Sequence, residues 1–196
     1  ANKCRWVIKP DVGWGGMTLY DNQLTNVNGL SNLTYVGGVL WLYNNQLTNV
    51  DGLSNLTSVG SGLYLWNNQL TNVDGLSSLQ FTGAHLILSN NQLTNVNGLS
   101  NLTSVGGYLS LYLNPLTDIS GLANITSLSS YILFNYNRID GTVLVTQKMP
   151  ASAWLCQPAQ SNKIKVDLDP GSGNSFVYRQ TAACDCPDAN ADYICD

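Results

Sequence analysis

The chain has 196 residues, enough for one domain with an appendage, and only 10% of them are charged, against about 25% in ordinary soluble proteins. Glutamate is absent, and between Lys9 and Arg138 there is no lysine or arginine, only Asp11, Asp21, Asp51, Asp74 and Asp118. A surface without cations cannot neutralise phosphates, which excludes nucleic acid as a partner, and no run approaches about 18 apolar residues, which excludes a membrane-spanning helix.

Polarity comes instead from Asn, Thr, Ser and Gly, which suits a protein living outside the cell. No basic-then-apolar leader precedes the array, which leaves open both a removed signal peptide and none. Residues 1–14 are read as a short N-terminal cap, with a small capping strand at 6–8. A periodic array then begins. Leu24, Leu47, Leu70, Leu93, Leu116 and Ile139 are each 23 residues apart, as are Asn22, Asn45, Asn68, Asn91, Asn114 and Asn137. A period of about 20 to 29 residues with leucine and asparagine at fixed offsets predicts a stack of near-identical coils. Residues 15–141 hold about six of them.

In the coil 40–62, Leu40 and Leu42 alternate with Trp41 and Tyr43, the pattern of a strand with one buried face. Equivalent strands are predicted at 17–21, 63–67, 86–90, 109–113 and 132–136, aligned as one parallel sheet. Asn45 should turn the chain at a buried corner, its amide bonding backbone of its own and the adjacent coil. Leu47, Val50, Leu53, Leu56 and Val59 complete the core. Gly29, Gly52, Gly75, Gly98 and Gly121 supply either a positive φ or a close backbone approach. The return is too short for a full helix, which leaves turns, 3₁₀ pieces or a second narrow strand.

The run Leu-Thr-Asn-Val-Asp-Gly-Leu-Ser-Asn-Leu-Thr-Ser-Val-Gly at 47–60 resembles the receptor L-domain type of bacterial leucine-rich repeat, and the resemblance covers roughly residues 15–140. It implies a β-rich solenoid, a right-handed leucine-rich repeat superhelix with one parallel sheet. It is nearly silent on function, since this fold chiefly offers a recognition surface. The chain departs from that family in lacking a long disulfide-bonded N-terminal cap.

The variable columns carry more. On the outward sheet face one column reads Thr18, Trp41, Tyr64, Ile87, Ser110, Leu133, and another Tyr20, Tyr43, Trp66, Ser89, Tyr112, Asn135. The column before the strand reads Gly16, Val39, Gly62, His85, Tyr108, Tyr131. Trp41, Tyr43, Tyr64 and Trp66, flanked by Tyr20 and Tyr112, are therefore expected to form an exposed aromatic block, a candidate contact surface for an extracellular protein, a glycan or further copies of the chain. The plainer reading is that aromatic residues suit strands.

Asn32, Asn55, Asn101 and Asn124 begin Asn-x-Thr sequons at one site of the coil, and Ser78 breaks the row. They would carry glycans in a eukaryotic secreted chain and serve as turn residues in most bacteria. Thr25, Thr48, Thr71, Thr94 and Thr117 resemble the arrays of ice-binding solenoids, but those present two outward threonines per coil, and here the neighbour is asparagine.

Residues 142–196 are read as a C-terminal cap with an acidic cysteine-containing tail, including strands at 143–146, 163–168 and 176–178. Cys156, Cys184, Cys186 and Cys195 can form two bridges in any of three connectivities, which argues for an oxidising compartment. Cys4 lies at the opposite end, about 24 Å away by five inter-coil steps, too far for a disulfide unless the tail reaches back. It is free, paired to a returning tail, or paired to another molecule. Asp188, Asn190, Asp192 and Asp196 have spacings that suit calcium, and the tail resembles thrombospondin type 3 repeats while lacking their usual glycine. No other cofactor is indicated. Catalysis has little to use: one histidine, His85, and an Asp51/Asp74 pair in a turn column shared with Asn28 and Asn97. The expected function is non-enzymatic recognition or adhesion at the cell surface, with head-to-tail self-assembly into an extracellular filament as the alternative.

Overall fold

The computed structural model describes residues 15–130, 132, 133, 136 and 137, and the backbone of strands Gly141–Val145, Leu155–Cys156 and Ile164–Leu168. It is a leucine-rich repeat solenoid. Seven two-residue strands, Met17–Thr18, Leu40–Trp41, Leu63–Tyr64, Leu86–Ile87, Leu109–Ser110, Ile132–Leu133 and Leu155–Cys156, stack in chain order as a parallel sheet. The register runs Met17↔Leu40, Leu40↔Leu63, Leu63↔Leu86, and onward to Ile132↔Leu155. The strands are shorter than predicted, but inter-coil bonding continues past them: Leu42 donates its N–H to Tyr64 O at 2.8 Å and Asn44 to Trp66 O at 3.2 Å.

The return contains two of the expected options together. Short 3₁₀ turns occupy Asn28–Leu30, Asp51–Leu53, Asp74–Leu76, Asn97–Leu99 and Ser120–Leu122. A second parallel sheet, beyond the one expected, stacks Tyr35–Val36, Ser58–Val59, Phe81–Thr82, Ser104–Val105 and Ser127–Leu128. Each 3₁₀ turn is started by a side chain two residues before it: Asn49 Oδ1 accepts the Asp51 N–H at 3.2 Å and Asn72 Oδ1 the Asp74 N–H at 3.1 Å. Asp51 and Asp74 are thus exposed positions at the start of these turns.

Between the sheets lies an unbroken apolar core. Leu40, Leu42, Leu47, Val50, Leu53, Leu56 and Val59 are fully buried, and so are their equivalents in the next two coils. One exception proves instructive. Thr82 replaces a core valine, and its buried hydroxyl donates to Ala84 O at 3.2 Å. The glycine column is explained by close approach. A Cβ on Gly75 would overlap the Val50 carbonyl, and one on Gly98 the Val73 carbonyl, so any side chain there would pry neighbouring coils apart.

The asparagine corner is built as expected and in detail. Asn68 Nδ2 donates to Leu42 O in the preceding coil at 3.1 Å and to Leu65 O and Trp66 O in its own, at 3.0 and 3.3 Å. Its Oδ1 accepts the Leu47 N–H at 3.1 Å. Asn45, Asn91 and Asn114 repeat the set. A second, outer ladder precedes it. Asn44, Asn67 and Asn90 sit at φ 53°, 54° and 50°, and each donates its amide to the side chain one coil earlier, Asn44 to Asp21, Asn67 to Asn44 and Asn90 to Asn67. Asparagine tolerates this left-handed backbone better than most residues. Leu113 and Tyr136 hold the same φ without an amide.

The 23-residue register outlasts the leucine pattern. Leu155 pairs with Ile132, and Gly141–Val145 pairs in parallel with Ile164–Leu168, again 23 residues apart. Two of the three strands expected beyond the array are therefore present; the one at 176–178 lies outside the described residues. The first coil differs from the rest. Met17, Leu24, Leu30 and Leu33 are only partly buried, and Asn22 is exposed. No helix among the described residues is long and apolar enough to cross a membrane.

Removing an internal rung strands a buried N–H and two buried carbonyls, each costing roughly 1–3 kcal/mol. Asn68→Ala should therefore lower unfolding free energy in urea by about 3 kcal/mol, whereas Asn22→Ala, at the exposed end, should cost about 1 kcal/mol or less. Equal losses would show that the corner amides do not work as a ladder.

Candidate recognition surface

Side chains of one outward column lie one coil apart, about 4.8 Å, little more than the thickness of a ring. Aromatic residues repeated in a column must therefore stack. Tyr20 and Tyr43 stack at 4.5 Å with 5° between planes, and Tyr43 and Trp66 at 4.6 Å and 8°, making one three-ring file. Beside it Trp41 stacks on Tyr64 at 4.1 Å and 21°. The two files meet edge to face, Trp41 against Tyr43 at 5.6 Å and against Tyr20 at 6.4 Å. Each such pair contributes about 0.5–1.5 kcal/mol beyond the area it buries.

The structure brings Tyr20, Trp41, Tyr43, Tyr64 and Trp66 together, but the block is less exposed than expected. Tyr64 is 9% exposed, and Trp41, Tyr43 and Trp66 are half-buried, because the stacking that aligns the rings also hides them. Tyr112 stands apart. Ser89 separates it from Trp66 in the column, and it meets Tyr136 edge-on at 5.4 Å. The open part of this face therefore falls on the first three coils. In coils four and five Ile87, Ser89, Tyr108 and Ser110 are buried, and the two serine hydroxyls lie 2.5 Å apart.

Two phenols of the files are harder to ionise than usual. Burial, with the adjacent Tyr20 and Asp21 and a hydrogen bond to Tyr20, pushes the Tyr43 phenol up to about 12. Burial likewise raises Tyr64. The Trp66 indole Nε1 is buried with no hydrogen-bond partner among the described residues.

Small residues make the rings fit. A Cβ on Gly62 would run into the Tyr64 ring, and one on Gly107 into the His85 imidazole. His85 was placed in a variable column by sequence, but its pairing was not foreseen. Its ring lies 4.0 Å from that of Tyr108, tilted by 32°, and its Nδ1 accepts the Tyr108 backbone N–H at 3.1 Å. The proton is thus on Nε2, and burial holds the imidazole below its ordinary pKa. Near the N-terminal end, Gly16, Thr18, Gly37, Gly38, Val39, Trp41, Gly60 and Ser61 surround a groove of about 370 Å³.

The sequon asparagines lie on the surface, yet they also hold coils together. Asn55, Asn101 and Asn124 donate Nδ2 to Ser31 O, Ser77 O and Ser100 O, each at 2.7 Å. Asn32 is exposed. The sequon threonines are engaged too: Thr57, Thr103 and Thr126 donate to the carbonyl one coil earlier. In the exposed threonine column, Thr71 and Thr117 do the same toward Thr48 and Thr94. Cys156 lies opposite Leu133 in the main sheet. Cys4, Cys184, Cys186, Cys195 and the calcium candidates Asp188, Asn190, Asp192 and Asp196 lie outside the described residues.

No protein family matches the chain, and no curated protein does. Among solved structures it is similar to internalin C2 of Listeria monocytogenes, with 20% identity and a TM-score of 0.44 over 74% of this chain and 80% of that one. At that distance the functional reading rests on the surface itself.

His85 is the chain's only histidine, so its titration can be isolated. Unfolded, it binds a proton near its ordinary 6.5; folded, it resists protonation to lower pH. Its contribution to stability is therefore complete above pH 6.5 and is lost as pH falls below that value toward the folded pKa. The melting temperature should drop more between pH 7 and pH 5 in the native chain than in His85→Gln; parallel slopes would remove His85 as the cause.

Proposed function

We propose that this chain is a non-enzymatic recognition module acting outside the cell, with the outward sheet face of its first three coils as the contact surface. The observation that carries this is the pair of ordered aromatic files, Tyr20–Tyr43–Trp66 and Trp41–Tyr64, on a face with Tyr20 still 38% exposed. Rings locked by stacking lose little side-chain freedom on binding, so a partner gains aromatic contact at small entropic cost. A face of phenols and indoles without cations suits a partner recognised by shape, apolar contact and neutral hydrogen bonds. The amide- and hydroxyl-rich exterior, the cysteines and the exposed Asn32, Asn55, Asn101 and Asn124 fit a secreted setting in which those asparagines carry glycans. Calcium at the acidic tail belongs to the same reading.

Binding should be found on arrays of glycans and purified extracellular proteins, and Tyr43→Ala with Trp66→Ala should weaken it at least about tenfold while far-UV circular dichroism stays unchanged. Absence of any ligand on both arrays, or binding indifferent to the double variant, would count against this face.

A second reading is end-to-end self-assembly. The half-buried Met17, Leu24, Leu30 and Leu33 of the first coil favour it, since partly exposed apolar surface gains from being covered. With Cys4 as a covalent link, a size-exclusion column should show species that collapse with reductant or in Cys4→Ser. A monomer at every concentration would defeat this reading.

A further inference from the structure

At the two positions before the strand, the later coils fill the space over a glycine with one of the protein's own rings. The space above Gly62 is taken by Tyr64 and that above Gly107 by His85. In the first coil no such ring arrives from the described residues. A Cβ on Gly15 or Gly16 would meet only backbone, of Gly37 and Val39 respectively, and the groove of about 370 Å³ remains beside them. Trp41 lines that groove. One face of its indole is packed on Tyr64, whereas its column neighbour on the other side is the small, exposed Thr18. Tyr20 stands edge-on to it at 6.4 Å and 75°. The indole is thus held rigidly with one side turned to the groove.

We propose that this groove is a subsite for one neutral pyranose residue of an oligo- or polysaccharide, stacked on Trp41. This rests on the recognition reading above and names the ligand class for one part of that face. A pyranose presents C–H bonds on its faces and hydroxyls around its edge. The faces match an indole, whose π surface is electron-rich. The edge matches the Thr18 and Ser61 hydroxyls, each able to donate and to accept. None of the described lining residues is ionisable, so they present no charge to draw a phosphate, a carboxylate or an amine. Its volume lies at the small end of the range of about 300–1,000 Å³ usual for ligand sites, which is enough for a single ring.

The test is affinity gel electrophoresis of the full chain in gels containing β-glucan, xylan, galactomannan or starch. At least one should retard the native protein, and Trp41→Ala should abolish that retardation. Because Trp41→Ala also removes a stacking partner, a second variant works by addition: Thr18→Tyr extends the file over the indole face on which no described ring is stacked, should raise the melting temperature, and should still abolish retardation. Phe81→Leu, on the exposed second sheet, should migrate as the native chain. Retardation that survives Thr18→Tyr would overturn the proposal. So would no retardation in any of the four gels, and if array binding sensitive to Tyr43 and Trp66 persisted, the saccharide subsite alone would fall.

Discussion

A chain that returns beneath itself every 23 residues must bury peptide groups at its corners, where neither sheet can pair them. The corner asparagine resolves this constraint, and the rest of the architecture depends on it. One amide supplies a donor to three carbonyls and an acceptor for one N–H, tying its own turn to the preceding coil. No other side chain of that size offers both functions in one plane. Valine or leucine there would bury the same backbone groups unpaired, and serine would not reach both coils. Because the rung spans two coils, it sets their spacing, and that spacing makes the glycine column obligatory: Gly75 meets the Val50 carbonyl only because the coils are drawn so close.

The same spacing decides how function can be written on the scaffold. Core, corner, 3₁₀ and glycine columns are committed to holding neighbours, and even the exposed threonines and sequon asparagines donate to the coil before them. Among the described residues, what remains free is the outward face of the strands, in the main sheet and, at Tyr35 and Phe81, in the second. There, spacing near 4.8 Å turns any run of aromatic residues into a stacked file. The file is rigid and mostly self-buried, so contact is offered where it ends or is interrupted by a small residue. Thr18, beside Trp41, is such an end.

How much of this could be read in advance follows from which quantities are periodic. Leucine and asparagine columns were legible because the 23-residue step survives in the residue types themselves. The aromatic residues were legible as one face, but not their burial: column membership says which rings are neighbours, whereas Tyr64 at 9% exposed reflects how rings shield each other once stacked. The outer amide ladder was missed although its signal is present in the Asn-Asn doublets at 44–45, 67–68 and 90–91. The second asparagine of each is buried, and only the backbone φ near +53° explains the first. Past Ile139 the reverse holds, for the register of Leu155 on Ile132 persists where the residue pattern that would announce it has faded.

Both amide ladders also have a direction. Every outer-ladder amide donates toward the N-terminal coil, ending on Asp21, whose carboxylate only accepts. Every corner amide sends its inter-coil donation the same way and takes an N–H from the coil before it. At Asn90 the outer ladder stops, since Leu113 carries no amide to continue it. The two ends of the array are therefore chemically different, as the head and tail of a hydrogen-bonded chain must be. Any contact that continued the stack into a second copy would have to join unlike ends, which is a heterologous interface and propagates rather than closes into a dimer. A symmetric pair, by contrast, sets one and the same surface of each copy against itself, and so cannot continue the stack in the direction of the ladders.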